Sequence, residues 1–165
     1  MFGQLMKQPQ ENQVKSLDSL CENLDNLRQP IAENLREKGK VPYYGASGIV
    51  DYVKNYLFDE VLLLVSEDGA NLMSRKTPIA FSISGKSWVN NHAHVLKFSS
   101  VSMQKYVETY LNLANLSVYI NKNANPKLTQ KKLKSILIPT PSKERLDDYY
   151  KIIESIDKLK FNEKI

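Results

Sequence analysis

Apolar positions change their period several times along the chain. Val14, Leu17, Leu20, Cys21 and Leu24 recur at helical spacing, and Ser16 is placed to cap a short helix there. Asn26 to Lys40 is polar. Val41-Pro42-Tyr43-Tyr44 then leads through Gly45-Ala46-Ser47-Gly48 into Ile49-Val50, which predicts a tight loop beside a strand. Val61 to Val65 is the longest purely aliphatic run and suits a buried strand, ended by the turn signal Asp68-Gly69. Ile79 to Ile83 and Trp88 to Phe98 read as two further strands, with Ser84-Gly85-Lys86 between them. Ser102 opens a helix with Tyr106, Val107, Tyr110, Leu111 and Ala114 on its apolar side. After a lysine-rich link, Ile136-Leu137-Ile138 forms a last strand, closed by Pro139 and Pro141.

The end of the chain differs in kind. Thr140 with Pro141 can start a helix. Leu146, Tyr149, Ile153 and Ile156 follow at coiled-coil-like spacing, and Asp147 with Lys151 and Glu154 with Lys158 are favourable i,i+4 pairs. The fold class is α/β (mixed α+β): a body over residues 1–141 and an amphipathic helix over 142–165. That helix packs either on its own body or on a partner; periodicity leaves both open.

A length of 165 residues suits one domain with one sizeable core, and 42% apolar with 25% charged residues is ordinary for a globular protein. No run approaches the ~20 apolar residues of a membrane span. The start, MFGQLMKQPQENQ, lacks the apolar core of a signal peptide. Cys21 is the only cysteine and forms no internal disulfide, so a cytoplasmic location is expected. The net charge of +5 is compatible with nucleic acid without requiring it.

Several chemistries lack their residues. There is no Pro-Pro pair for the base-holding loop of an adenine methyltransferase, and Gly45-Ala46-Ser47-Gly48 has the wrong spacing for a cofactor turn. No phosphate-cradling glycine loop ends in Gly-Lys-Ser/Thr. One cysteine and two histidines argue against zinc; His92 and His94 would share one strand face without a third ligand. A magnesium nuclease would have to use Asp51, Asp59, Glu60, Glu67 or Asp68, and none has a lysine two residues on. We expect no metal, no cofactor and no catalysis.

Three segments carry chemistry suited to DNA. If Trp88 to His94 is one strand, Trp88, Asn90, His92 and His94 point one way; asparagine amides pair with adenine, and the same groups can equally knit loops together. Lys122 to Lys134 holds five lysines and no acid in 13 residues, either a phosphate track or a solvated face. Arg75-Lys76-Thr77 falls in a loop between strands, where readout residues commonly sit.

Taken together, these motifs resemble a known family. Asn26-Leu27-Arg28-Gln29-Pro30-Ile31 and Gly39-Lys40-Val41-Pro42-Tyr43-Tyr44-Gly45-Ala46-Ser47-Gly48 are similar to the opening of a target-recognition domain of type I restriction–modification specificity subunits. Phe58-Asp59, Leu64-Val65-Ser66-Glu67-Asp68-Gly69-Ala70-Asn71 and Ser84 to Leu96 continue the likeness in the same order, and Pro126-Lys127-Leu128 with Ile136 to Pro141 completes it. The resemblance implies sequence-specific binding of double-stranded DNA. It also implies partner subunits that do the chemistry: modification subunits carrying the methyltransferase, and restriction subunits. A full specificity subunit has two such domains joined by long helices, so this chain reads as one half, with Met1-Phe2-Gly3 as a junction. After Pro141 the family has an apolar residue and Glu-Gln, where this chain has Ser142-Lys143-Glu144-Arg145. The rival readings are an assembly or regulatory half-subunit that competes for modification subunits, and a magnesium-dependent nuclease.

The expected site follows. Arg75, Lys76, Lys86, Asn90, Asn91 and His92 face bases or backbone; Tyr43, Tyr44 and Ser47 shape the adjoining loop; Lys127, Gln130, Lys131 and Lys132 contact phosphates. Leu146, Tyr149, Ile153 and Ile156 form the partner face, with weak homodimer formation expected through it.

Overall fold

The computed structural model describes residues 14–162, with side chains over 14–159. Met1-Phe2-Gly3 and the last residues of the tail lie outside this range. The fold is mixed α/β, with three sheets. One is four-stranded and antiparallel, in the order β2 (Glu22–Asn23), β9 (Ala93–Lys97), β6 (Leu62–Ser66), β7 (Ala80–Ile83). The second runs β4 (Gly48–Val53), β3 (Lys38–Gly45), β8 (Lys86–Val89), β5 (Phe58–Asp59), with β3 and β8 parallel. The third pairs β1 (Val14–Ser16) with β10 (Leu137–Pro139). Among the described residues, four α-helices complete the order: α1 (Asn71–Ser74), α2 (Val101–Leu113), α3 (Gln130–Lys134) and α4 (Lys143–Asn162).

Side-chain alternation along β6 explains its aliphatic sequence. Leu63 and Val65 point into a core shared with Tyr106, Val107 and Leu111 of α2 and with Leu128, Leu133 and Ile138. Leu62 and Leu64 point the other way, into a core with Leu24, Phe58, Ile83, Val89 and Val95. A strand buried on both faces needs apolar residues at every position. Within the β3–β4 hairpin, Gly39 sits at a bulge where an added Cβ would lie 2.3 Å from the Val53 carbonyl oxygen, which no other residue type fits.

Four local expectations are corrected. Val14 to Leu24 is not a helix: it is β1, a 3-10 turn at Leu17–Ser19 and β2, because Val14–Ser16 pairs with β10 and the Leu17 N–H donates to the Ile136 carbonyl. Ser16 makes no side-chain cap. Trp88 to Phe98 is two strands, one in each four-stranded sheet, broken at Asn90–His92. The cap of α2 is Ser100, whose Oγ accepts from the Met103 N–H at 3.2 Å, not Ser102. At α4 the capping hydroxyl is that of Ser142, accepting from Arg145 at 3.4 Å, while Thr140 bonds Ile138.

The stripe on α4 divides. Leu146 and Tyr149 are buried in the main core, and Ile153 packs against it. The Tyr149 ring meets Tyr106 edge-on at 5.9 Å, and its hydroxyl shares a 2.6 Å hydrogen bond with Thr109. Two of the four residues expected to face a partner are therefore used within the fold. Farther along, Ile152, Ile156 and Leu159 are 40%, 40% and 64% exposed. Glu154 pairs with Lys158 at 3.3 Å as expected, whereas Lys151 pairs with Asp148 at 3.6 Å rather than with Asp147. Among the described residues, no helix is long and apolar enough to cross a membrane.

Candidate nucleic-acid interface

Four chain segments meet at one end of the sheets. The tip of the β3–β4 hairpin is held by the Ser66 hydroxyl, which donates to the Ala46 carbonyl at 2.5 Å. The Glu67 N–H donates to the His92 carbonyl at 2.9 Å, and the Asn90 N–H to the Tyr44 carbonyl at 3.0 Å. The Gly69 N–H donates to Pro126 at 3.0 Å, and the Leu128 N–H to Glu67 at 2.8 Å. Hairpin tip, 67–69 loop, 90–92 turn and 126–128 segment thus form one rigid row. Gly69, at φ +105°, supplies the left-handed conformation this turn requires.

Beneath the row lies a cluster of ionised groups. His94, fully buried, has its Nδ1 2.7 Å from the Asp25 carboxylate and its Nε2 2.7 Å from the Leu128 carbonyl oxygen. Burial pushes the Asp25 carboxyl up. The hydrogen bond and charge of His94, the Val95 N–H at 2.8 Å and Arg28 outweigh that and hold it down at about 2. Asp25 is therefore an acceptor at neutral pH, and so is a carbonyl oxygen. Both ring nitrogens of His94 thus lie within hydrogen-bond reach of oxygen atoms of the fold. Arg28 extends the network with 2.6 Å to Glu67 and 2.8 Å to the Ala93 carbonyl, and Lys127 reaches Glu67 at 3.2 Å. Burial raises the Glu67 carboxyl, but the hydrogen bond from Arg28, the His94 charge and Lys127 lower it overall. Asp25, Glu67 and His94 offer ligand atoms within 4.8 Å of one another, the geometry of a metal site. A cation there would displace the His94–Asp25 hydrogen bond and the ion pairs of Arg28 and Lys127, which already engage both carboxylates.

The expected site residues separate into two groups. Arg75 does not face outward: at φ +49° its guanidinium turns in and donates to the Leu111 carbonyl at 2.9 Å and to Ala114 at 3.4 Å, closing the C-terminal end of α2. Asn90 is buried, its Oδ1 accepting from the His92 N–H at 2.8 Å. Tyr43 is buried with its hydroxyl accepting from Ile31 at 2.9 Å, and Tyr44 stacks obliquely on Phe81. Gln130 donates to Asn23 at 2.9 Å and Asp25 at 3.1 Å, and Lys127 is tied to Glu67. These residues build the scaffold. Ser47, Asn91 and His92 lie exposed on the row, with His92 Nδ1 2.9 Å from Asp68. Lys131 and Lys132 are exposed on the adjacent α3. Lys76, beside the end of α2, and Lys86, whose ammonium lies 4.8 Å from the Tyr56 ring centre, are exposed but apart from the row. Sequence reasoning missed Asp25 and Arg28. The only signal was a histidine inside an apolar strand, and its acidic partner is 69 residues away.

Comparisons with known proteins agree with this architecture. The family model for the type I restriction modification DNA specificity domain matches residues 9–165. The chain is 31% identical over 158 residues to the Haemophilus influenzae type I restriction enzyme specificity subunit S.HindORF215P, covering 96% of this chain and 40% of that protein. In fold it is similar to the type I restriction–modification S subunit from M. genitalium, with a TM-score of 0.57 at 15% identity over 98% of this chain and 46% of that one. A chain from a structural study of assembly and conformational transition in the type I R-M system aligns with a TM-score of 0.60 at 13% identity, covering 93% of this chain and 40% of that one. The chain thus spans less than half the length of these relatives. On the match over residues 9–165, it belongs to the type I restriction modification DNA specificity domain family.

Proposed function

We propose that this chain reads DNA sequence as one target-recognition unit of a cytoplasmic type I restriction–modification system, and leaves methylation and cleavage to partner subunits. Family membership carries the reading, and the rigid row of exposed polar side chains beside the α3 lysines supports it. Lys131 and Lys132 contact phosphates; Ser47, Asn91 and His92 lie toward base edges, with Lys76 and Lys86 as outlying backbone contacts. Phosphate contacts release counterions, so Lys131→Ala and Lys132→Ala should each weaken binding to all duplexes alike and flatten the log-affinity against log-salt slope by about one. Equal slopes in wild type and both variants would refute the phosphate assignment.

The exposed face of α4, with Ile152, Ile156 and Leu159 beside Ile153, is the pairing surface in this proposal. A patch this small supports only a weak homodimer, near the micromolar range or weaker. Sedimentation across a concentration series should show association that Ile156→Asp abolishes; a monomer at several hundred micromolar would rule the pairing out.

A further inference from the structure

We propose that residues 121–127 form a base-reading finger that enters the major groove of duplex DNA, with Asn123 and Asn125 as its specificity-determining side chains; this rests on the reading of the chain as a DNA-recognition unit. The Asn121 N–H donates to the Lys127 carbonyl at 2.8 Å, and the Lys127 N–H returns to the Asn121 carbonyl at 3.0 Å. This single antiparallel bridge closes a narrow five-residue loop, Lys122–Pro126. The major groove, about 12 Å wide, admits a chain segment as broad as a two-stranded ribbon.

The base of the finger is fixed to the body on every side. Lys127 bridges to Asp68, the Pro126 carbonyl accepts from Gly69, and Leu128 is buried with its carbonyl against the His94 ring. Through Asp68 the finger adjoins His92 and the exposed Asn91. A rigid base limits the entropy lost when the tip engages a ligand.

Among the described residues, the amides of the tip are free, unlike those of three asparagines that bond within the fold. Asn71, Asn90 and Asn112 spend their amides on backbone groups of the fold. The side chains of Asn121, Lys122, Asn123 and Asn125 are exposed and make no hydrogen bond or ion pair among the described residues. An asparagine amide presents a donor and an acceptor side by side, the pattern that pairs with N6 and N7 of adenine. Lys122 supplies a cation for an adjacent phosphate, and residues 121–127 contain no acid.

The test is selection from random-sequence duplexes by wild type, by the Asn123→Ala/Asn125→Ala double variant, by Lys122→Ala, and by Asn34→Ala as an exposed control away from the finger. The double variant should melt like wild type, lose preference at one or two motif positions and bind the wild-type motif roughly 10-fold or more weakly. Lys122→Ala should keep the motif and flatten the salt slope by about one. A double variant that keeps every motif position and binds within twofold of wild type overturns the finger while DNA reading stands. A wild type that enriches no motif overturns both.

Discussion

Replacing His94 by Leu should cost the protein roughly 3–5 kcal/mol, because the change leaves the Asp25 carboxylate buried without its principal counter-charge. At this chain length that is a melting-temperature fall of roughly 10 °C. The Leu128 carbonyl loses its donor at the same time. Asp25→Asn should be much milder, since a neutral imidazole can still donate from Nε2 to Leu128 while Nδ1 accepts from the new amide. The network also sets acid behaviour. Because the folded-state carboxyl of Asp25 is held down at about 2 against 3.8 unperturbed, its stabilisation is in force above about pH 4 and is lost as pH falls through about 2. A His94→Leu variant as stable as wild type would contradict this account.

The second large effect is expected at Tyr149. Truncation to Ala removes a buried ring that packs edge-on against Tyr106, a loss of roughly 3–5 kcal/mol. It should also reduce helicity, because α4 is moored to the body through Leu146 and Tyr149 and a helix in a protein owes most of its stability to the packing of its apolar face. Tyr149→Phe should cost only about 1 kcal/mol, since the Thr109 hydroxyl keeps its own hydrogen bond to the Lys105 carbonyl. Calorimetry and circular dichroism on the two variants read both effects. If Tyr149→Ala leaves stability and helicity unchanged, α4 does not pack as described.

Much of the fold is legible in the sequence where local pattern and tertiary context agree. The aliphatic run of β6, the Asp68-Gly69 turn and the apolar faces of α2 and α4 all appear at their positions. Val14 to Leu24 misleads because its backbone bonds come from residues distant in sequence, Ile136–Pro139 for Val14–Leu17 and Val95–Lys97 for Glu22–Leu24, which outweigh helical spacing. Asn90 misleads for a different reason. Its amide takes the His92 N–H and breaks the strand, and a turn-forming asparagine looks the same in sequence as a base-reading one. The site is half legible on the same grounds. The lysines of α3 are exposed as expected, while Arg75 and Gln130 bond inward to partners no spacing rule identifies. The α4 stripe is visible in the sequence, but which half of it the body covers depends on where α2 lies.

If this chain alone carries sequence information for DNA, titrating the purified protein against a pool of random-sequence duplexes at two salt concentrations and sequencing the bound fraction will reveal it. One enriched motif is expected, the same at both salts, with overall affinity falling steeply as salt rises. Binding that salt weakens but that enriches no motif at either concentration would contradict that expectation.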